Sequence, residues 1–278
     1  MAASERSILI TGAASGIGRD AAETFALRGW RVFTACRKQK DAEQLSENGL
    51  NGIYLDYENP ESIAAAVKQV LGATGGKLDA LFNNGAYAIP APIEDLSREA
   101  MSAIFNANLL GWHDLTVQIL PAMRAQGHGR IVNCSSILGL VSTPYRGAYS
   151  ATKFALEAWA DALRLEMAGT GIRISLIEPG PIDTNFRKNA VARFEQWIDW
   201  ENSARVNEYR DGLLDRLYKG SGTSRFMLPA SAVTKKLAHA VEHPRPKARY
   251  FVTAPTYGAN LIRRVLPTPL LDKVLARG

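Results

Sequence analysis

A tyrosine, a lysine and a serine in the middle of the chain have the types and spacing of an acid/base centre. Tyr149 and Lys153 lie four residues apart, and Ser136 precedes the tyrosine by thirteen residues. On a helix, side chains at this interval share one face. An ammonium group beside a phenol favours the phenolate, so we expect Lys153 to lower the pKa of Tyr149 from about 10 and to let it exchange a proton at working pH. The alternative is a helix on which the pair are ordinary surface neighbours.

A glycine-rich segment near the N-terminus has the pattern of a phosphate-binding loop. An apolar run over 7–11 leads into this segment, and a helical pattern follows over 17–28. The segment reads Gly12-Ala13-Ala14-Ser15-Gly16-Ile17-Gly18. Glycine lets the backbone approach a phosphate closely, and a helix N-terminus offers free N–H groups and the positive end of its dipole. The sequence therefore predicts a site for a dinucleotide pyrophosphate, with a tight turn that binds nothing as the alternative.

The end of the second apolar run indicates which dinucleotide binds. In dinucleotide-binding folds a carboxylate near this position holds the ribose 2′-hydroxyl of NAD, whereas an arginine suits the 2′-phosphate of NADP. Here the run ends at Cys36 and is followed by Arg37 and Lys38. A guanidinium can bind a phosphate through two hydrogen bonds, so we predict NADP(H) rather than NAD(H), unless the two cations only solvate a turn. Asp56, after the third run, is predicted either to contact the adenine or to cap a helix.

The order of apolar and helical patterns predicts one fold class. Seven short, nearly continuous apolar runs alternate with helical patterns, as expected for parallel strands that are buried on both faces. We therefore predict an α/β fold, a doubly wound parallel sheet (Rossmann fold) of about seven strands with helices on both faces, in a single domain over 1–278. The predicted strands cover 7–11, 31–35, 52–55, 78–82, 129–134, 172–177 and 249–252, and the predicted helices cover 17–28, 61–74, 97–125, 147–168 and 230–241.

Two segments fall outside this alternation. The insertion over 184–228 holds no predicted strand and is rich in aromatic residues, which suggests a lid over an apolar ligand. Helices packed on the body of the protein or on a second subunit are the alternative, because large buried aromatics are also ordinary core residues. The extension over 254–278 is predicted to be a helix that is broken by Pro267 and Pro269.

Composition excludes several classes of function. The net charge of +6 is spread along the chain, which does not favour nucleic-acid binding. The two cysteines, Cys36 and Cys134, lie in apolar runs and indicate a reducing, cytoplasmic location without a disulfide framework. The four histidines are scattered without metal-ligand spacing, and no apolar run is long enough to span a membrane.

Taken together, the motifs resemble those of the short-chain dehydrogenase/reductase family, in its compact single-domain branch. The family motif T-G-x-x-x-G-x-G matches residues 11–18, and its Y-x-x-x-K pair matches Tyr149 and Lys153. Of the two serines after the predicted strand over 129–134, Ser136 has the family's spacing to the tyrosine. The segments 108–111 and 179–184 resemble the family's N-x-x-G helix and P-G stretch. The resemblance covers about residues 7–184, with the motifs in the correct order.

The resemblance implies a catalytic set and completes the predicted cofactor site. Tyr149 would be the general acid or base, Lys153 would tune it and hold the nicotinamide ribose, and Ser136 would orient the substrate oxygen. Asn108 would position Lys153 through a water molecule. Including the residues argued above, the predicted cofactor contacts are Gly12, Ser15, Gly16, Ile17, Gly18, Arg37, Lys38, Asp56, Asn83, Gly85, Tyr149, Lys153, Pro179, Gly180, Ile182 and Thr184.

One segment departs from the family pattern. Family members typically read N-N-A-G after the fourth strand, whereas this chain reads Asn83-Asn84-Gly85-Ala86. The asparagines are kept, so their structural role is expected to persist. The exchange moves the conformational freedom of glycine by one residue, so the sequence alone leaves the local backbone shape beside the adenine ribose undetermined.

These observations predict an NADP(H)-dependent oxidoreductase that transfers a hydride between nicotinamide and a carbonyl or secondary alcohol. The aromatic insertion favours an apolar steroid-like, retinoid-like or long-chain substrate. The helices over 97–125 and 147–168 are those through which the family often forms dimers and tetramers, so a homodimer or homotetramer is expected. The alternatives are a non-catalytic NADP(H)-binding sensor or scaffold and an NAD-dependent alcohol dehydrogenase.

Overall fold

Seven parallel strands form a single sheet in the computed structural model, which describes residues 6–220 and 225–276. The strands are β1 (Ser7–Thr11), β2 (Arg31–Cys36), β3 (Asn51–Tyr54), β4 (Ala80–Asn83), β5 (Gly129–Cys134), β6 (Ile172–Glu178) and β7 (Arg249–Phe251). Their order across the sheet is β3-β2-β1-β4-β5-β6-β7. Ile8 of β1 is paired with Val32 on one side and with Ala80 on the other, so the order reverses at β1. The predicted doubly wound parallel sheet of seven strands is confirmed.

Helices connect the strands and flank the sheet, with α1 packed against α10 and α3 against α5. Their bounds are α1 (Gly16–Leu27), α2 (Gln39–Glu47), α3 (Pro60–Ala73), α4 (Arg98–Phe105), α5 (Gly111–Gln126), α6 (Gly147–Glu166), α7 (Phe186–Trp197), α8 (Val206–Glu208), α9 (Leu214–Tyr218), α10 (Ser231–Glu242), α11 (Ala254–Val265) and α12 (Thr268–Leu275). The sequence missed α2, because only Ala42 and Leu45 of this charged helix are buried and its apolar periodicity is short.

The long helix predicted over 97–125 is interrupted. A π-helical turn at Asn106–Leu110 separates α4 from α5. Such turns insert an extra residue into the helical repeat and often occur at functional sites. In this chain the turn holds the buried Asn108, so the interruption lies at a residue that the sequence places in the catalytic set.

The insertion takes part in a second core, which it shares with the segment after β4 and with α4 and α6. Phe194 of α7 and Tyr209, which lies between α8 and α9, are almost completely buried there. Tyr209 packs against both Phe194 and Trp200, with ring centres 5.9 and 6.1 Å apart. The insertion is thus helical, and these aromatic side chains pack within it and against the body of the protein.

The C-terminal extension consists of two helices instead of one. Pro267 precedes α12, and Pro269 occupies its first turn, where a missing backbone N–H costs nothing. The two helices carry several exposed apolar side chains, namely Tyr257, Leu261, Val265, Leu270 and Val274. Within the described residues, no helix has the length and hydropathy that crossing a membrane requires.

Candidate active site

The predicted site residues converge at the carboxyl end of the sheet. Thr11, Asn83, Cys134 and Glu178 are the last residues of β1, β4, β5 and β6, and the predicted motifs follow directly after these strands. In open α/β sheets, ligands bind in the crevice at this edge, where the strand order reverses. Parallel strands thus bring motifs that are distant in sequence to one face of the molecule.

The glycine-rich loop has the geometry of a phosphate cradle. Gly12 and Gly16 adopt left-handed φ values of +63° and +56°. A Cβ atom on Gly18 would lie 2.3 Å from the carbonyl oxygen of Gly12, so only glycine fits there. Ser15 caps α1 without using its side chain, and the partly buried Ile17 packs against the core. The loop therefore leaves the N-terminal N–H groups of α1 directed at the crevice, as a dinucleotide pyrophosphate requires.

The asparagine segment after β4 fastens this loop to the sheet. Thr11 Oγ1 accepts a hydrogen bond from the backbone N–H of Asn84 at 2.8 Å, and Asn84 Nδ2 donates to the carbonyl oxygen of Thr11 at 3.1 Å. Asn83 Nδ2 donates to Asn133 Oδ1 at 2.9 Å, and its Oδ1 accepts from the Tyr57 hydroxyl at 3.0 Å. Both asparagine side chains thus form hydrogen bonds within the protein, and those of Asn83 stabilise the end of β4 at the edge of the crevice.

The exchange of glycine and alanine in this segment does not rely on the conformational freedom of glycine. Gly85 does not adopt a left-handed φ. Its carbonyl oxygen accepts a hydrogen bond of 2.9 Å from Trp112 Nε1. A Cβ atom on Gly85 would lie 3.3 Å from the backbone nitrogen of Gly12, whereas one on Gly12 would lie 2.7 Å from Gly85 Cα. Gly85 therefore has a backbone conformation that other residues also adopt, and its α-carbon packs closely against Gly12 of the phosphate loop.

A cavity of about 480 Å³ opens at the tips of β2 and β3. Arg37 and Asp56 line it, as expected for residues at the adenosine end of a cofactor, whereas the exposed Lys38 is the N-cap of α2 and is not part of the lining. Asp56 does not cap α3, because Asn59 does so by accepting a hydrogen bond from the N–H of Ser62. The Asp56 carboxylate instead accepts from the N–H of Glu58 at 3.0 Å.

The predicted catalytic residues lie together beside this crevice. Ser136 follows β5, and Tyr149 and Lys153 lie on successive turns of α6. Ser136 and Tyr149 are both largely buried, with 9% and 8% of their surface exposed. The ring of Phe186 packs edge-on against the ring of Tyr149, with centres 5.4 Å apart. Phe186, which the sequence did not single out, is thus the aromatic residue of the insertion that borders the predicted acid.

The pKa of Tyr149 shifts in the opposite direction to the one predicted. Burial raises the pKa of the Tyr149 phenol well above its ordinary value, and the nearby Cys134 thiol adds to this, whereas the hydroxyl of Ser136 and the charge of Arg146 oppose it. The Nζ atom of Lys153 lies 5.6 Å from the centre of the Tyr149 ring, but it donates its hydrogen bond to the carbonyl oxygen of Cys134 at 2.8 Å. Without a bound ligand, burial therefore dominates and keeps the phenol protonated.

Lys153 is held in a low-polarity pocket. Its side chain is 1% exposed, and its Nζ atom lies 4.4 Å from the centre of the Trp112 ring. Burial lowers the pKa of Lys153 to about 8, although the Cys134 thiol and Glu157 oppose this. The Lys153 ammonium is thus poorly solvated. Its binding to the hydroxyl groups of the nicotinamide ribose stays a prediction.

Asn108 uses its side chain to tie the two halves of the site together. Its Oδ1 atom accepts from the N–H of Tyr87 at 3.1 Å, and its Nδ2 atom donates to the carbonyl oxygen of Tyr87 at 2.8 Å and to Thr152 Oγ1 at 3.2 Å. Thr152 directly precedes Lys153. Asn108 therefore joins the segment after β4 to the helix that carries the lysine.

The segment after β6 forms another wall of the crevice and reaches the phosphate loop at Thr184. The carbonyl oxygen of Pro179 accepts a hydrogen bond from the N–H of Ile137 at 2.8 Å. This bond joins the segment to the loop after β5 that carries Ser136, the serine loop. A Cβ atom on Gly180 would lie 2.2 Å from Thr253 Oγ1. Ile182 forms an isolated parallel bridge with Leu228. A Cβ atom on Gly16 would lie 3.0 Å from the methyl group of Thr184, so Thr184 borders the glycine loop.

These features fit a nicotinamide dinucleotide. The glycine loop leaves backbone room and N–H groups for a pyrophosphate, Arg37 lies at the adenosine end, and Lys153 lies at the other end. Within residues 6–220 and 225–276, no group of three His, Cys, Asp or Glu side chains is placed to hold a metal ion. Both cysteines are free and buried.

Comparisons with known proteins agree with this geometry. A sequence model of the short chain dehydrogenase family matches residues 6–194. The chain is 41% identical to the uncharacterized oxidoreductase YbbO of Escherichia coli K12, with 98% of this chain and 94% of that protein covered. It is 33% identical to human retinol dehydrogenase 16, with 98% of this chain and 88% of that protein covered.

Two solved structures share the fold. A short chain dehydrogenase/reductase from Burkholderia phymatum, in complex with NAD, has a TM-score of 0.77 and 26% sequence identity, and covers 96% of this chain and 94% of its own. A variant of the actinorhodin polyketide ketoreductase with NADPH has a TM-score of 0.72 and 28% identity, and covers 91% of this chain and 97% of its own. Proteins with either nicotinamide cofactor thus share this architecture.

Proposed function

The chain belongs to the short-chain dehydrogenase/reductase family, whose members are NAD(P)-dependent oxidoreductases, and we propose that it interconverts a carbonyl and a secondary alcohol with NADP(H). The observation that carries this proposal is the grouping of Ser136, Tyr149 and Lys153 at the edge of the sheet that also holds the glycine loop. A protein that only senses the cofactor would need the loop but not this group of residues.

In the proposed reaction the protein supplies orientation and proton transfer. The bound nicotinamide supplies or accepts the hydride. Ser136 donates a hydrogen bond to the substrate oxygen and holds this oxygen near the Tyr149 hydroxyl. In reduction the Tyr149 hydroxyl gives its proton to the substrate oxygen, and in oxidation the tyrosine accepts the proton of the substrate hydroxyl. A neutral phenol is the form that reduction requires, and its burial favours this form. Lys153 binds ribose hydroxyl groups and supports the phenolate that remains after proton transfer.

The preference for NADP(H) rests on the tip of β2. Arg37 lines the cavity at this tip and is exposed toward it. A guanidinium attracts a 2′-phosphate and gains little from a 2′-hydroxyl, so it favours NADP(H).

The proposed substrate is apolar. Phe186, Leu138 and Tyr145 are partly buried apolar side chains that pack around the cluster containing Tyr149. One relative carries the name retinol dehydrogenase, and a retinoid-like or steroid-like alcohol or ketone suits such a lining. The aromatic residues that first suggested an apolar ligand are less informative, since Phe194 and Tyr209 belong to the second core, in which the insertion takes part.

A substrate screen tests this proposal. We expect absorbance changes at the nicotinamide band with apolar ketones, aldehydes and secondary alcohols, and faster turnover with NADP(H) than with NAD(H). Tyr149→Phe is expected to reduce turnover by at least about 100-fold, the usual contribution of a general acid, without loss of cofactor binding. Tyr257→Phe, an exposed tyrosine on α11, is the matched control. Turnover that survives in Tyr149→Phe would refute the role of the tyrosine, and tight cofactor binding without any turnover would favour a sensor.

A further inference from the structure

Helix α7 of the insertion covers the adenosine end of the crevice as well as the region of Tyr149. The cavity of about 480 Å³ is lined on one side by Arg37, Asp56 and Glu58, which follow β2 and β3, and on the other by residues of α7. The residues contributed by α7 are Ala192, Arg193 and Gln196. The insertion therefore contributes a second guanidinium, that of Arg193, to the cavity that holds Arg37.

Arg193 is held in place by three neighbours. Its Nη1 atom donates to Gln196 Oε1 at 2.6 Å, and its Nη2 atom forms an ion pair with Glu58 Oε1 at 3.4 Å. The guanidinium carbon lies 4.2 Å from the centre of the Tyr87 ring. The side chain is 15% exposed. Such a preorganised cation loses little conformational freedom when it binds an anion.

Two carboxylates of the cavity lining, those of Asp56 and Glu58, would oppose an incoming phosphate, and Glu58 is the one that pairs with Arg193. Its carboxylate belongs to the same cavity lining as both guanidinium groups and pairs with one of them. A phosphate dianion beside this carboxylate would be repelled, whereas it would be attracted by Arg37 and Arg193. The distance of 3.4 Å leaves the ion pair longer than a good charge-assisted hydrogen bond, so a phosphate can replace the carboxylate as partner of Arg193.

We infer that Arg193 is a second cation for the 2′-phosphate of NADP(H), acting with Arg37, and that Glu58 is the counter-ion of Arg193 when this phosphate is absent. The inference rests on the proposed use of NADP(H) and extends it, because it assigns part of the cofactor specificity to the insertion and not only to the tip of β2. NAD(H) offers a hydroxyl in place of the phosphate and would leave the Arg193–Glu58 pair intact.

Binding measurements without substrate test this inference. Dissociation constants for NADPH and NADH would be measured by titration for the wild-type protein, Arg193→Ala, Arg193→Lys and Glu58→Gln. Loss of one charge-assisted contact is expected to weaken NADPH binding to Arg193→Ala by about 10-fold and NADH binding by less than about twofold. Arg193→Lys keeps the charge and is expected to recover part of the preference. Lys188→Ala, which removes an exposed cation from the same helix, is the matched control.

Glu58→Gln gives an effect of opposite sign. The variant removes the repelling carboxylate and releases Arg193, so we expect it to bind NADPH about threefold more tightly and NADH unchanged. A residue that only stabilised the position of α7 would not move the affinity for NADPH in opposite directions in the two variants while the affinity for NADH stayed the same. The Glu58 variant also keeps the inference testable if Arg193→Ala folds poorly.

The results separate this inference from the proposed function. Wild-type protein that binds NADH more tightly than NADPH would contradict the proposed cofactor. A wild-type preference for NADPH that Arg193→Ala leaves unchanged, or equal losses for both cofactors, would overturn the role of Arg193 alone. Weaker NADPH binding by Glu58→Gln would equally contradict it.

Discussion

At the scale of single residues, Lys153 is a buried cation whose placement opposes folding. Burial lowers its pKa from 10.5 to about 8 in the folded protein. The unfolded chain therefore binds more protons than the folded one between these values, and stability rises with pH across this window. The loss of stability that results from burying the Lys153 ammonium is fully present below about pH 8 and disappears above about pH 10.5. Burial of Lys153 thus opposes folding, and strongly shifted pKa values of this kind are typical of functional sites.

Lys153→Met should remove this pH dependence. We expect the free energy of unfolding of the wild-type protein to gain about 2 kcal/mol relative to the variant between pH 7 and pH 9.5. The variant also leaves the carbonyl oxygen of Cys134 without its donor, but this loss is independent of pH and cancels in the comparison. Chemical denaturation at both pH values provides the measurement, with the exposed Lys188→Met as the control. Parallel pH dependences for the wild type and Lys153→Met would show that folding does not lower the pKa of Lys153.

Two glycines of the cofactor crevice should differ in their tolerance of a methyl group. A Cβ atom on Gly18 would lie 2.3 Å from a backbone oxygen, whereas one on Gly85 would have its nearest neighbour at 3.3 Å. We expect Gly18→Ala to lower the melting temperature and to weaken cofactor binding by more than about 10-fold, because backbone must move. Gly85→Ala should change both only slightly. Calorimetry and cofactor titration of the pair check this, and equal effects would contradict the geometry.

At the scale of elements, α11 and α12 differ in how they are attached. Thr256 and Ala259 of α11 are buried, and Arg263 donates a hydrogen bond of 3.1 Å to the carbonyl oxygen of Leu140, close to the serine loop. None of the eight residues of α12 is buried. The first helix thus belongs to the body of the protein, whereas the second adds little to its packing.

Deletion of residues from 267 onward should therefore leave the fold intact. We expect a change in melting temperature of less than about 2 °C, while deletion from 254 onward should lower it by more than about 5 °C. Thermal unfolding of both truncated chains is the measurement. A large effect of the shorter deletion would show that α12 is covered in solution, and the mass of the particle in solution would then reveal whether a second copy covers it. The predicted homo-oligomer stays a prediction.

At the scale of the whole molecule, a charged cluster behind the active site joins β6, β7 and α6. Arg249 of β7 binds Glu157 and Asp161 of α6, and its Nη1 atom donates to Glu178 Oε1 at 2.8 Å. Glu178 ends β6 and is completely buried. Burial and the adjacent Glu157 together raise the pKa of Glu178 to about 8, although the guanidinium of Arg249 opposes them. One arginine thus serves three carboxyl groups, one of which is kept protonated by its surroundings.

Glu178→Gln should stabilise the protein increasingly as the pH rises. The folded protein binds a proton at Glu178 that the unfolded chain loses above its ordinary pKa of 4.5, so this group's contribution to stability falls between about pH 5 and pH 8. Glutamine is neutral throughout, and the free energy of unfolding of the variant should gain on the order of 2 kcal/mol over the wild type across this range. Denaturation at pH 5 and pH 8 checks this, with the exposed Glu166→Gln as the control. If the difference in free energy of unfolding between Glu178→Gln and the wild type did not change with pH, Arg249 would be keeping Glu178 ionised.

The sequence by itself determined the sheet, the glycine loop and the set Ser136, Tyr149, Lys153 and Asn108. These features depend on the alternation of apolar runs and on short motifs, and parallel strands necessarily bring such motifs to one edge of the sheet. It also indicated that the insertion is separate from the repeating pattern. The strands were predicted to within one or two residues at each end, and β1, β4 and β5 are almost continuous buried runs.

Only the tertiary structure decided how these residues are surrounded. Burial is a property of the assembled molecule, so the direction in which the pKa of Tyr149 shifts could not be deduced from its spacing to Lys153. Likewise, α7 is distant in sequence from β2 and β3, and only folding brings Arg193 to the cavity of Arg37. Spacing fixes which side chains share an element, whereas solvation and non-local charge fix what those side chains can do.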